Sequence, residues 1–398
     1  MLDDILYTQM DAIPYSSQEI TEGDINAVTN VLRSKYLTQG PEVQIFENEL
    51  KQRFGVSYAV CCSSGTAAIH LSYAAMGVDN QSIGFVPAVT FSATANAFRY
   101  QGAKVAFCDI NPETGIIDLN SLEEQLVKFR AKSKSTCVIS PVSFAGKVAP
   151  LLEAKKLANS YNCLLFEDAS HSAGAYENHG DPSTSSISSP HLDAACLSFH
   201  PVKHICAGEG GAVLTNNAKI SCRATQLRTH GITRPFSNDH PTPWYYEQND
   251  LGWNYRMSDI HAALGRSQLN RLDGSLESRK KLASNYNNAF SESPFSETFS
   301  VPKLEDGHSW HLYVIRFIKE GIRDKAHKYL MSKGVMTQIH YTPLYKHPYY
   351  RRITGDLSLP GAEKYFQSCL SIPMYPSLTA GQQNRVIDAM ESFVKSEM

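Results

Sequence analysis

Short apolar runs alternate with amphipathic stretches over the first 220 residues of the chain. The runs that we interpret as strands are YAVCC (58–62), SIGFV (82–86), KVAFCDI (104–110), TCVISPV (136–142), NCLLFED (162–168), AACLSF (194–199) and GAVLTN (211–216). Several are apolar throughout, which is typical of strands that are buried on both faces of a sheet. Helical patterns lie between them, for example at 66–76 and 151–161, so the sequence predicts a mostly parallel α/β sheet.

The pattern changes near residue 260. We expect one long helix over 260–290, with a break near Gly274. The segments that follow are a strand-like run at 310–317, a charged helix at 324–334, the run VMTQIHY at 335–341 and a helix at 380–397. They predict a smaller α+β domain, so we place a large domain at 13–260 and a small one at 261–398. The Ser-rich stretch 181–190, bounded by prolines, predicts a surface loop.

Composition narrows the class of protein without identifying it. The 398 residues are 42% hydrophobic and 19% charged, with a net charge of -2, which is ordinary for a globular protein. No basic tail indicates a nucleic-acid partner, and no apolar run approaches the roughly 20 residues that span a bilayer. The acidic N-terminus lacks the order of a signal peptide. We therefore expect a soluble cytoplasmic protein that engages neither nucleic acid nor membrane.

The nine cysteines fit that compartment. None forms a CxxC pair, and most lie inside apolar runs such as CVIS and CLLF. In such positions cysteine acts as a small hydrophobic residue, so we expect buried thiols. Two histidines in HSWH (308–311) have a spacing that could suit a metal, but on a strand they would point to opposite faces. We expect no metal site.

The segment SSGTAAIH (63–70) places a turn of small residues between a strand and a helix. Free backbone N–H groups and the positive end of a helix dipole meet there, which suits a phosphate group. Gly65 would allow close approach, and Ser64 and Thr66 would add hydroxyl donors. Ordinary helix capping is the alternative interpretation of the same residues.

An acidic pair, Glu167-Asp168, follows an apolar strand in LLFEDASHSAGA (164–175). Ligands of open α/β sheets bind at the carboxyl ends of strands, and a buried carboxylate there needs a cation. The protonated ring nitrogen of pyridoxal phosphate (PLP) is such a cation. A helix-capping aspartate is the alternative.

Lys203 lies between two predicted core strands, in SFHPVKHICAGEGGAVLT (198–215). Partial burial lowers the pKa of a lysine amine, as Schiff-base chemistry requires. Lys203 would hold PLP, be displaced by an amino donor and then move the proton between substrate and cofactor carbons. The phosphate turn, the acid and the lysine, in this order on strand ends, indicate a PLP site.

With these residues the chain resembles the DegT/DnrJ/EryC1/StrS family of sugar-nucleotide aminotransferases, which are PLP enzymes of fold type I. The resemblance extends from residue 13 to residue 397. Its most specific stretches, beyond those quoted above, are KYLTQGPEVQIFE (35–47), PAVTFSATANA (87–97), CDINPETGIID (108–118), RTHGI (228–232) and LGWNYRMSDIHAALGRSQLNRLD (251–273). It implies a large PLP-binding domain, a small C-terminal domain and a homodimer with shared active sites.

The resemblance also implies individual roles, with Lys203 as the Schiff-base lysine and Asp168 as the partner of the ring nitrogen. The other implied cofactor contacts are His171 at the 3-hydroxyl group, Phe91 on the ring face, Gly65, Thr66 and Ser198 at the phosphate, and Asn254 at the neighbouring subunit's cofactor phosphate. Those implied near the nucleotide sugar are His311, His340 and Tyr341. Arg228 and Arg256 are candidates for the donor's carboxylate, with structural ion pairing as the alternative.

Within the family, PWYYEQNDLGWNYRMSDI (243–260) and IHYTPLYKHPYYRR (339–352) resemble transaminases of the pseudaminic acid pathway. This implies transfer of an amino group from glutamate to C4 of a UDP-linked 4-keto-6-deoxy-N-acetylhexosamine. Another keto-sugar acceptor (a UDP-4-keto-pentose or a dTDP- or GDP-keto-hexose) and a non-catalytic PLP-binding regulator are the alternatives. Lys203 argues against a sugar dehydratase, where relatives carry histidine. Three departures from the family, Ser143, Cys206-Ala207 and the long Ser-rich loop at 178–192, bear on sugar specificity.

Overall fold

The computed structural model describes residues 12–130, 135–177, 185–233 and 244–397. Within these ranges the main sheet has seven strands: β1 (Tyr58–Cys62), β2 (Ile83–Pro87), β3 (Lys104–Cys108), β4 (Cys137–Ile139), β5 (Leu164–Asp168), β6 (Ala194–Ser198) and β7 (Gly211–Thr215). Their spatial order is β1-β7-β6-β5-β4-β2-β3. Strands β2 to β6 pair in parallel, and β7 is antiparallel to both β1 and β6. All seven predicted strands and the mostly parallel α/β sheet are confirmed.

Helices connect the strands and cover the sheet. The helices up to residue 227 are α1 (Glu22–Leu32), α2 (Pro41–Phe54), α3 (Gly65–Ala75), α4 (Ser92–Tyr100), α5 (Leu119–Arg130), α6 (Leu151–Ser160) and α7 (Ala218–Leu227). Almost every residue of α3 is buried because this helix packs against α4, α7 and the strands β6 and β7. The predicted helices at 66–76 and 151–161 are confirmed as α3 and α6.

The later part of the chain forms a second, smaller sheet. The strands of this sheet are β10 (Phe299–Ser300), β11 (Tyr313–Phe317) and β12 (Cys369–Ile372). The helices in the same part of the chain are α8 (Asp259–Leu269), α9 (Leu272–Ala289), α10 (Phe295–Thr298), α11 (Ile322–Ser332), α12 (Pro348–Thr354), α13 (Pro360–Ser368) and α14 (Ala380–Glu397). The three strands are antiparallel, in the order β10-β11-β12. A two-stranded ribbon, β8 (Ile232–Thr233) with β9 (Glu247–Gln248), lies earlier in the chain.

The expected long helix over 260–290 is interrupted, but not at Gly274. The break falls at Asn270 and Arg271, between α8 and α9, and Gly274 lies inside α9 with open space beside it. Arg271 leaves the helical path and its guanidinium contacts the buried carboxylate of Asp24 at 2.8 Å. The break thus lies within four residues of Gly274, which is itself accommodated inside α9.

Two further segments differ in structure from what their sequence pattern predicts. The segment 335–341 makes only isolated bridges, Val335 with Ile13 and Gln338 with Ser371. Residues 181–184 of the expected surface loop (181–190) lie outside the described residues. Of the remainder, Ser186 and Ile187 in the short turn Ser186–Ser188 are buried, and the other described residues of the loop are partly or fully exposed.

Three apolar clusters accompany the two sheets in the described residues. The largest packs against the seven-stranded sheet and includes Leu344 and Tyr365 from the later part of the chain. Another, which includes Phe46, Leu197 and Met257, also packs against that sheet. A smaller one joins β11, β12, α9, α11 and α14, and also takes in Ile13. The domain division at residue 260 therefore stays a prediction. Eight of the nine cysteines are buried and all nine are free thiols, as expected. No helix of the described ranges is long and apolar enough to cross a membrane.

Candidate active site

Lys203 lies just after β6, in a turn where its backbone N–H donates to the carbonyl of His200 at 2.9 Å. Burial of the amino group lowers its pKa to about 8, and the nearby charge of Asp168 opposes that shift. Burial destabilises the charged ammonium form relative to the neutral amine. A lysine of this kind supplies a neutral, nucleophilic amine close to physiological pH.

Asp168 ends β5, and its carboxylate is buried. Oδ2 accepts a hydrogen bond from Thr94 Oγ1 at 2.7 Å, and Oδ1 accepts from Ser170 N at 3.1 Å and from Cys196 Sγ at 3.4 Å. No Lys, Arg or His of the described residues forms an ion pair with it. The carboxylate therefore accepts from three donors and has no charged partner among these residues.

The turn between β1 and α3 has the geometry of an anion site. Ser64 is the N-cap, and its Oγ accepts from Ala67 N at 3.0 Å. A Cβ on Gly65 would lie 2.8 Å from Ser198 Cβ, so only glycine lets this helix start approach the end of β6. Thr66 follows in the first turn of α3. The predicted phosphate residues Ser64, Gly65, Thr66 and Ser198 are thus brought together.

A cluster of histidines and aromatic rings is packed beside the lysine. The Tyr341 hydroxyl lies 3.4 Å from His171 Nε2, and the His171 ring centroid lies 4.3 Å from that of His311 and 5.7 Å from that of Phe144. Burial, with the charge of Lys203, lowers the pKa of His171 and of His311 well below the ordinary value. Both rings are therefore neutral and act as hydrogen-bonding or stacking groups.

A cavity of about 630 Å³ opens next to this cluster. Phe91 and Tyr341 form part of its wall, with ring centroids 6.1 Å apart, and Phe91 is 56% exposed. Its rim carries polar and aromatic side chains from two elements, Asn96, Arg99 and Tyr100 with His347, Tyr349 and Tyr350. Pockets of this size accommodate drug-sized organic ligands.

The remaining predicted residues lie in different settings. His340 is buried, with Nδ1 2.8 Å from Ser371 Oγ. The guanidinium of Arg228 has partners within the protein, because its Nη1 donates to Glu47 Oε1 at 2.6 Å and to the Cys61 carbonyl. Asn254 is exposed, and no hydrogen bond of its side chain is found among the described residues. The predicted roles of these three toward ligands stay predictions.

Sequence reasoning missed two groups of residues at this site. Thr94 and Cys196 contact Asp168, and Ser143, noted as a departure from the family, donates to the buried carboxyl of Glu167. The sequence offers one signal for Thr94, which is its position in the first turn of the helix that follows a predicted strand. Pairing across 74 residues of chain leaves no local pattern.

The residues fit a pyridoxal cofactor. Among the described residues, Asp168 is a buried carboxylate that forms no ion pair, and His171 Nδ1 is buried without a hydrogen-bond partner. The Gly65 turn offers N–H groups at a helix start. A cofactor with a ring cation, a phosphate and a hydroxyl group could meet these three needs.

Comparison with known proteins identifies the family. The model of the DegT/DnrJ/EryC1/StrS aminotransferase family matches residues 18–391. The chain belongs to this family. It is 35% identical over 385 residues to the UDP-4-amino-4,6-dideoxy-N-acetyl-beta-L-altrosamine transaminase of Campylobacter jejuni, an alignment that covers 96% of this chain and 98% of the relative.

Solved structures of similar aminotransferases share the fold. PseC of Helicobacter pylori, an aminotransferase involved in pseudaminic acid biosynthesis, is 27% identical with a TM-score of 0.85, over 97% of this chain and 100% of that one. NtdA of Bacillus subtilis, with bound cofactor PMP, is 28% identical with a TM-score of 0.83, over 98% and 86%. The predicted fold type I architecture of the DegT/DnrJ/EryC1/StrS enzymes and the aminotransferase class are confirmed.

Proposed function

We propose that the protein is a PLP-dependent aminotransferase that moves an amino group from glutamate to C4 of a UDP-linked 4-keto-6-deoxy-N-acetylhexosamine. The observation that carries the chemistry is the convergence of Lys203, Asp168 and the Gly65 turn in one site. The acceptor is supported by the names of the Campylobacter jejuni and Helicobacter pylori relatives, which match nearly the full chain.

Each side chain of the site has its own role in the proposed reaction. When bound, PLP supplies an aldehyde that takes up the amino group and a ring that withdraws electrons from the bond being broken. Lys203 would hold the cofactor, and its neutral amine would accept the proton from the substrate carbon and return it from the ammonium form. Asp168 would face the ring nitrogen. Gly65, Thr66 and Ser198 would hold the phosphate, and Phe91 would contact the ring.

The nucleotide sugar has a suitable place beside these residues. The cavity lined by Phe91 and Tyr341 is about 630 Å³, which suits a bulky acceptor better than the small glutamate donor. Tyr341, Arg99 and His347 line this cavity, and the Tyr341 hydroxyl lies 3.4 Å from His171 Nε2. We assign the sugar to the part near Tyr341 and the nucleotide to the part lined by Arg99 and His347.

A homodimer completes the proposal. Asn254 is exposed, and so are two large apolar side chains earlier in the chain, Leu251 (79% exposed) and Trp244 (75% exposed). Interfaces are enriched in tryptophan. We propose that this surface meets a second copy and that Asn254 reaches the cofactor phosphate of that copy.

The experiment is an acceptor panel with glutamate as donor. Purified protein with PLP is incubated with UDP-, dTDP- and GDP-linked keto-sugars, and the amino-sugar product is followed by mass spectrometry. We expect product with the UDP-linked 4-keto-6-deoxy-N-acetylhexosamine and none with Lys203→Ala. If the protein turns over only another keto-sugar, the proposed acceptor is wrong and the proposed aminotransferase chemistry stands. Cofactor binding without turnover of any pair would favour a non-catalytic regulator and overturn the proposal.

A further inference from the structure

The carboxylate of Asp168 is held by a network of buried hydroxyl groups. Thr94 Oγ1 donates to Oδ2 at 2.7 Å, and Thr94 Oγ1 itself lies 3.0 Å from Thr90 Oγ1. Thr90 and Thr94 are no more than 1% exposed, so water does not compete for these bonds. The network joins Asp168 to Thr90, which also lines the cavity beside Phe91.

Hydroxyl chemistry fixes the direction of each bond. An ionised carboxylate only accepts, so the single hydroxyl proton of Thr94 must point to Asp168. Thr90 must then donate to Thr94 rather than accept from it. The same turn of α4 is anchored from the other side, because the Tyr73 hydroxyl lies 3.3 Å from the Thr94 carbonyl and 2.7 Å from Ser140 Oγ.

The second oxygen of Asp168 is held by Cys196. Its thiol lies 3.4 Å from Oδ1 and donates, because burial raises the pKa of the thiol well above its ordinary value. A thiol is a weak donor, so the hydroxyl of Thr94 contributes the stronger of the two side-chain bonds.

We infer that Thr94 is a positioning residue, which aims the carboxylate of Asp168 at the ring nitrogen of the cofactor so that this nitrogen stays protonated. The inference rests on the proposed function. A donor to the carboxylate lowers its affinity for the proton that it shares with the ring. Without Thr94, that proton moves toward Asp168 and the ring loses its positive charge. Charge-assisted bonds of this kind are the strong ones in a buried site.

The test compares Thr94→Val, which keeps the shape and removes the hydroxyl, with Thr94→Ser, which keeps the hydroxyl. Loss of the ring's positive charge raises the pKa of the lysine–cofactor linkage, because a neighbouring cation disfavours its protonated form. We expect the visible band of Thr94→Val to titrate at higher pH than wild type, as in Asp168→Asn. We also expect reaction with glutamate to slow by about 10- to 100-fold, the range for one hydrogen bond to a charged group. Thr94→Ser should restore both.

Thr215→Val is the matched control, since it removes another buried threonine hydroxyl, bonded to the Asp193 carbonyl at 2.6 Å. It should lower stability without moving the titration. If Thr94→Val changes stability alone, as Thr215→Val does, Thr94 is structural and the inference is wrong. If Thr94→Val does not fold, Thr90→Val removes the donor to Thr94, and an unshifted titration in that variant would contradict the inference.

The behaviour of the wild-type protein distinguishes a failure of this inference from a failure of the proposed function. A wild-type protein without a visible band on PLP addition contradicts the proposed function itself. A wild-type protein that binds PLP and reacts with glutamate, beside a Thr94→Val variant with the same titration and rate, contradicts only the role of Thr94.

Discussion

The hydroxyl of Ser143 donates a hydrogen bond to Glu167 Oε1, between two side chains that are fully buried. Ser186 Oγ donates to the same oxygen at 3.2 Å, and Oε2 has no partner among the described residues. Burial raises the pKa of Glu167 from its ordinary value of 4.5 to about 7, although both serines act in the opposite direction. The residue next to Asp168 is therefore a largely protonated acid below neutral pH.

This pKa predicts how stability depends on pH. Glu167 binds a proton in the folded state up to about pH 7, whereas in the unfolded state it releases the proton above 4.5. Its contribution is complete below 4.5 and is lost as pH rises through 7. In Glu167→Gln, the fall in unfolding free energy across this range should be smaller than in wild type by roughly 3 kcal/mol.

Denaturant unfolding at several pH values measures this difference. Glu297→Gln, which changes an exposed glutamate, is the control and should follow wild type. Equal pH dependence in wild type and Glu167→Gln would mean that Glu167 is ionised in the folded protein.

Gly65→Ala tests the close approach of the phosphate turn to β6. Alanine normally stabilises a helix by about 0.5–1 kcal/mol relative to glycine. At Gly65 its Cβ would lie 2.8 Å from Ser198 Cβ, so we expect a loss of about 1–3 kcal/mol and weaker PLP binding. The control is Gly381→Ala in α14, where nothing lies within 4 Å. Unchanged stability and PLP affinity in Gly65→Ala would contradict the geometry.

Arg228→Gln distinguishes a structural ion pair from a donor-binding residue. The side chains of Arg228 and Glu47 are only 15% and 9% exposed, and removal of one partner from a buried pair costs about 3–5 kcal/mol. Arg351→Gln, in a pair that is 68% and 89% exposed, should cost less than about 1 kcal/mol. Wild-type stability in Arg228→Gln, with a raised KM for glutamate, would assign it to the donor instead.

Attachment of the cofactor should report the pKa of Lys203. Only the neutral amine attacks the aldehyde, so the rate of band formation with apo protein should rise with pH around a midpoint of about 8. Asp168→Asn should move the midpoint lower, because the charge of Asp168 favours the ammonium form. A midpoint near the 10.5 of an ordinary lysine would show that the amine is not desolvated.

Much of the fold was predictable because its signals are local. Apolar runs located all seven strands of the main sheet, and Gly65, Asp168 and Lys203 stood out at their ends. The strand order was not predictable, since it depends on which buried faces pack together. Arg271, at the break between α8 and α9, pairs with Asp24, which is 247 residues away in the chain.

The supporting residues of the site were harder to predict for the same reason. Thr94 reads as an ordinary helix residue until the fold brings it 2.7 Å from Asp168. The sequence shows no partner for the charge of Arg228, and only the fold shows that Glu47 forms an ion pair with it. Residues whose role depends on a distant partner leave no spacing pattern.

The absorption spectrum of the purified protein with PLP tests the central claim most directly, when glutamate and then the UDP-linked 4-keto sugar are added. We predict a visible band that Lys203→Ala lacks, its replacement by a pyridoxamine-like band with glutamate, and its return with the keto-sugar. A wild-type protein that gives no band, or gives the same band as Lys203→Ala, would contradict the account.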